Sequence, residues 1–144
     1  MTSFTAMASI ALVSMLGLSA CQPSAPPAER PPVELVSDNL TGDAAAGKAV
    51  FEDECGKCHQ LTAGHNSKGP QLHRIYGATA GALADYQDRY SAAIKATRWQ
   101  WDEETLNSYL ENPDRSLPNG KMLYDGLPDQ DQRNDVIAYL ATLH

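Results

Sequence analysis

Apolar positions recur with helical spacing in three windows of this chain, and no window alternates in the manner of a strand. In "GDAAAGKAVFEDEC", residues 42–55, Gly47, Val50, Phe51 and Cys55 share one face, with Thr41 or Asp43 placed to cap the first turn. In "WDEETLNSYLENP", residues 101–113, Asp102 is the expected cap, and Glu103 and Glu104 suit the positive end of the helix dipole. Pro113 stops that helix. "DQDQRNDVIAYLATLH" closes the chain with Val136, Ile137, Leu140 and Leu143 as an apolar stripe. Shorter helical pieces fall around "YSAAIKA" and "PDRSL". The pattern predicts an all-α domain whose helices are joined by long, structured loops.

Before residue 42 the chain has a different character. Residues 1–20 form a short apolar stretch ending in small residues, too short to span a membrane and read as a signal peptide, although no Lys or Arg precedes it. Its tail, Leu18-Ser19-Ala20-Cys21, resembles the lipobox of bacterial lipoproteins, which implies acylation of Cys21 and anchoring rather than spanning. Five prolines follow within residues 22–40. They forbid a helix and favour an extended tether that reaches roughly 50–60 Å at about 3.1 Å per residue. The expected organisation is therefore a lipoprotein signal over 1–20, a lipidated cysteine with its proline-rich tether over 21–41, and one domain over 42–144.

Charge and composition narrow the function. A formal net charge of −7 argues against nucleic acid and against simple attraction to anionic lipid. Two Phe, four Met, six Tyr and two Trp make a modest core for a domain of this size. A bound cofactor would help to complete it.

The chemistry is concentrated in "DECGKCHQ", residues 53–60, which holds two of the three cysteines and a histidine directly behind them. C-x-x-C serves redox dithiols, zinc half-sites and covalent haem attachment, and only the last requires the histidine. Thioethers from Cys55 and Cys58 would pin the porphyrin, and His59 would face the iron. A zinc site made with two of His65, His73 and His144 lacks finger-like spacing for the second ligand pair. A thioredoxin-like dithiol lacks its βαβ setting.

Residues 42–144, through "GDAAAGKAVF", "CGKCH", "GPQLHRIYG", "YSAA", "WDEETLNSYLENP" and "IAYL", resemble the class I c-type cytochromes of the mitochondrial and bacterial electron-carrier branch. The resemblance implies a fold in which the first and last helices pack together through Gly47, Phe51, Val136 and Tyr139 around one covalent haem c. It places the sixth iron ligand at Met122, in "LPNGKM", sixty-three residues after His59. Met1, Met7 and Met15 all precede Cys21, and a thioether ligand favours ferrous iron and raises the potential.

By the same resemblance, the Pro70 carbonyl accepts the axial histidine's other N–H. Tyr90 and Trp101 bond a buried propionate, and Tyr109 lies beside the methionine sulfur. The chain departs from the branch at Ala78, Ile94 and Gly120, where an arginine, an asparagine and a threonine are usual.

The function implied is that of a non-catalytic, monomeric carrier of single electrons between respiratory or photosynthetic complexes. Its partners would be a cytochrome bc-type donor and a terminal oxidase or other acceptor. It would be lipid-anchored on the extracytoplasmic, periplasmic face of a bacterial membrane. The alternative is a haem-based small-ligand sensor or peroxidase in which Met122 dissociates; an enzyme of that kind would add a distal acid or base, and no motif ties one to that side. Four aspartates stand against Arg133 alone between Asp125 and Asp135, so the lysine-rich docking ring of soluble relatives is not expected here.

Overall fold

The computed structural model describes residues 40–144; the apolar leader, Cys21 and the proline-rich run lie outside the described residues. The domain begins with α1, Ala44–Val50. Of the two candidate caps the chain uses Asp43, whose carboxylate accepts from the amides of Ala45 and Ala46 at 2.7 and 3.3 Å. The apolar spacing continues through Cys55 as expected, but the geometry does not stay α-helical. Phe51–Cys55 widen into a π turn closed by Gly56 N–H on the Phe51 carbonyl at 2.8 Å. Such single turns are frequent at functional sites, and this one ends on Cys55, the first residue of the C-x-x-C-H run.

After a 3-10 turn at Ala84–Tyr86, the remaining α-helices are α2 (Ala92–Thr97), α3 (Glu103–Glu111), α4 (Pro113–Ser116) and α5 (Gln130–Ala141). Asp102 caps α3 as its position suggests, accepting from Thr105 N–H at 2.9 Å. Pro113 does more than stop that helix. It opens α4 behind Asn112, which ends α3 and also caps α4 through Arg115 N–H. Among the described residues no strand forms. A single bridge, Thr79 to Gln100, lies within a paired loop where Gly77, Ala80 and Trp101 trade backbone hydrogen bonds with Trp101, Trp99 and Ala78 at 2.8–2.9 Å.

Helix α5 is the centre of the fold, packed by α1 on one side and α3 on the other. Val136 and Ile137 are each 1% exposed, and their burial contributes about 2 kcal/mol apiece. Ala138 and Ala141 are buried too, which the apolar stripe did not require; a helix covered by two neighbours buries more than one face. The α1–α5 contact is close because of Gly47, where a Cβ would fall inside the backbone of Asp135. Phe51 and Tyr139 extend it with rings 5.8 Å apart, and Asp135 adds a 2.7 Å bond to Asp43 N–H.

Arg133 is 5% exposed, with no carboxylate among its hydrogen-bond partners. Its guanidinium donates to Asn107 Oδ1 at 2.8 Å, to the Leu127 carbonyl at 2.7 Å and to Gln130 Oε1 at 2.6 Å. Three neutral oxygens thus satisfy a buried cation and tie α5 to α3 and to the segment leaving Met122. Its hydrogen bonds are thus all spent within the fold, on Asn107, Leu127 and Gln130, and none goes to the neighbouring aspartates.

Candidate functional site

The π turn and the loop after it deliver Cys55, Cys58 and His59 to one wall of a cavity of about 660 Å³, a volume that suits a cofactor-sized ligand. The segment carrying Leu117, Met122 and Tyr124 also lines the cavity, together with the apolar side chains of Ile94, Leu106, Leu110, Val136 and Leu140. Cys55 and Cys58 are half-buried and not joined to each other. Burial, then the Glu54 carboxylate and Cys58, push the Cys55 thiol up to about 11. A thiol held so far from ionisation suits a redox dithiol poorly. Among the described residues no group of three or more His, Cys, Asp and Glu side chains is arranged to hold a metal ion.

His59 is oriented from behind. Its Nδ1 lies 2.7 Å from the Pro70 carbonyl oxygen. A carbonyl can only accept, so Nδ1 carries the hydrogen and Nε2 keeps its lone pair for another partner. Burial holds the imidazole below its usual range, against the upward pull of the Pro70 bond, so the neutral ring is the resting form. Gly69 completes the cradle, since a Cβ there would run into the His59 ring. Sequence reasoning missed Gly69; the signal available was a glycine directly before Pro70 in "KGPQL".

The other expected site residues gather at the same cavity. Met122, Tyr90, Trp101 and Tyr109 all line it, as does Pro70. Trp101 is buried and its ring lies 5.1 Å from that of Tyr109, with Trp99 at 6.2 and 6.4 Å from the two. Burial, with a smaller push from Asp114, raises the Tyr109 phenol to about 12. The Tyr90 phenol is also raised, mainly by burial. Of the three departures, Ile94 is a buried cavity residue, whereas Ala78 and Gly120 are not among the lining residues. His65, His73 and His144 stay outside the cavity.

Three further features escaped the sequence. Tyr86 donates to the Lys68 carbonyl at 2.8 Å and stacks edge-on to Tyr90 at 5.0 Å, with the Arg89 guanidinium 4.3 Å above its ring. Lys121 Nζ donates to the Arg89 carbonyl at 3.1 Å. Tyr124 Oη donates to Glu54 Oε2 at 3.0 Å, and its phenol is pushed far up by burial and by that carboxylate.

Comparison with known proteins agrees with this geometry. The cytochrome c family model matches residues 44–144, which is more than half of the chain. The chain belongs to the cytochrome c family. It is 43% identical to cytochrome c of Euglena viridis over 102 residues, covering 71% of this chain and 98% of that one. Cytochrome c of Arabidopsis thaliana is 38% identical over 109 residues, 75% and 96% of the two chains.

Among solved structures, cytochrome cH from Methylobacterium extorquens superposes with a TM-score of 0.62 at 37% identity, over 70% of this chain and 99% of that one. The all-α class I cytochrome c fold is therefore the fold of this domain. The cofactor of this cytochrome is covalently bound haem c, with Cys55 and Cys58 in the C-x-x-C-H attachment positions. The residues present fit it: two thiols on the wall, an imidazole with a free Nε2, and a largely apolar cavity. Family members are electron carriers. No helix among the described residues is long and apolar enough to cross a membrane.

Proposed function

We propose that this cytochrome is a membrane-tethered carrier of single electrons, whose haem iron His59 and Met122 would hold. The observation that carries the reading is that a tautomer-fixed imidazole and the domain's one methionine line the same apolar cavity, beside the attachment cysteines. Bound haem c supplies an iron that alternates between ferric and ferrous. The chain's own task is to hold two ligands in place while that happens.

His59 is held by the Pro70 carbonyl and sits partly buried in the cavity lining. Met122 contributes a soft thioether that favours the ferrous state. Tyr90 and Trp101 are the proposed propionate partners, and Tyr109 the neighbour of the sulfur. The oxidised spectrum tests the ligation: the weak far-red band that marks sulfur bound to ferric iron is expected in the wild type and lost in Met122→Ala. A wild type without that band would favour an open site that binds small ligands or turns over peroxide.

The tether is proposed from sequence. Its support is the lipobox-like ending at Cys21, the five prolines behind it, and an acidic surface ill-suited to the usual electrostatic docking. Lipidation would hold the domain on the periplasmic face of a bacterial membrane, beside a bc-type donor and an oxidase or other acceptor. Confinement of that kind gives an effective concentration of about millimolar order without new contacts. Steering by surface charge, in contrast, is screened beyond about 8 Å at physiological salt. Respiratory electron flux should fall strongly in a soluble form beginning at Gln22, at equal total protein, while the full chain stays nearly insensitive to salt. Equal flux from the two forms would refute the tether.

A further inference from the structure

Among the described residues, the segment that carries Met122 has few backbone anchors. Gly120 N–H reaches the Leu117 carbonyl at 3.0 Å and Leu127 N–H reaches the Leu110 carbonyl at 2.7 Å, but no backbone amide from Lys121 to Gly126 bonds to another backbone group. Leu123, inside the segment, is fully exposed. Two side chains hold the stretch instead. Lys121 bonds the Arg89 carbonyl on one side of Met122, and Tyr124 bonds Glu54 on the other. The second bond spans seventy positions, from the residue directly before Cys55 to the residue two after Met122. Both Glu54 and Tyr124 line the cavity.

We propose that Glu54 and Tyr124 form a clasp across the edge of the haem cavity, holding the Met122 segment to the π turn and setting how readily Met122 yields its place to an incoming ligand. The inference rests on Met122 being the sixth ligand. A segment with so few backbone bonds opens locally at low cost, so one side-chain bond is a large share of what keeps it closed. A bond to a carboxylate is stronger than one between neutral groups, and the exposure of Glu54 reduces that advantage. Losing it should raise the open population about fivefold. Glu54 and Tyr124 are positioning residues, because their effect reaches the iron through Met122.

The test is spectral titration of the ferric holoprotein with imidazole, which binds only where Met122 has left. It is done alongside hydrogen exchange at amides 121–126. Tyr124→Phe and Glu54→Ala should each bind imidazole about fivefold more tightly than wild type and exchange faster in that segment. The double variant should be no looser than either single one, because the two act through one bond.

Glu54→Gln keeps an accepting oxygen and should remain within about twofold of wild type. A Gln variant as loose as the Ala variant, or effects that add in the double variant, would overturn the clasp. A wild type that shows the sulfur–iron band while both single variants keep wild-type imidazole affinity overturns the clasp alone. A wild type lacking the band overturns Met122 as an iron ligand and the clasp together.

Discussion

His59 Nδ1 and the Pro70 carbonyl oxygen stand 2.7 Å apart, across eleven residues of chain, and that one bond decides which nitrogen of the imidazole faces the cavity. The bond depends on Gly69, the residue between the ring and the carbonyl's own proline. A methyl group at position 69 would overlap the His59 ring, so Gly69→Ala should tilt it and lengthen the bond to Pro70. The expected loss is about 2 kcal/mol of holoprotein stability, the cost of overpacking a tight site. Guanidinium unfolding followed through the haem absorption measures it, and an unchanged midpoint would show that the loop gives way freely.

Gly47 is the corresponding point in the helix pair. Here the obstacle to a side chain is the backbone of Asp135 and Val136, which cannot swing aside as a rotamer can. Gly47→Ala should therefore destabilise by about 3 kcal/mol, despite alanine's better helix propensity. A stabilised variant in thermal unfolding would mean that α1 and α5 separate without cost.

Covalent attachment is open to a direct chemical test. Denatured wild type should keep its haem through electrophoresis and through acid–acetone extraction. Cys55→Ala combined with Cys58→Ala should yield no covalent holoprotein. Complete extraction from the wild type would defeat the assignment.

Tyr109 predicts an alkaline limit to stability. Its phenol titrates near 10.0 when exposed and is raised to about 12 in the fold, with burial the main cause and Asp114 the second. Between those values the unfolded chain has released a proton that the native state retains, so rising pH favours unfolding. The contribution is fully present below pH 10 and is lost as the pH climbs towards 12. Its full size is about 3 kcal/mol. Denaturation midpoints of wild type should fall more steeply over this window than those of Tyr109→Phe. Tyr76, Tyr90 and Tyr124 are also raised, so the difference between the two slopes is the readout.

Chemistry that depends on near neighbours was readable from the chain alone. Cys55, Cys58 and His59 sit within five positions, the caps at Asp43 and Asp102 immediately precede their helices, and the stripe Val136, Ile137, Leu140 follows a single helical period. Backbone geometry sets such relationships wherever a helix forms. The π turn at Phe51–Cys55 lay beyond that reach, because an α and a π turn present the same apolar residues. Arg133 looked like a surface charge, since nothing within its own helix reveals that Asn107 and the Leu127 carbonyl will come to meet it.

Legible in the residues alone were the fold class, the C-x-x-C-H attachment motif of the haem and a short set of candidate ligand side chains. Those rest on residue identity and short spacing. Packing was needed to bring the Pro70 carbonyl to His59 Nδ1, to leave no room for a Cβ at position 69, and to set Glu54 against Tyr124 beside the cavity they line. Each of these contacts joins segments whose separation is set by how the chain packs around α5. A hydrogen bond is lost with an error of less than 1 Å, a tolerance that packing meets and a pattern of residues does not encode.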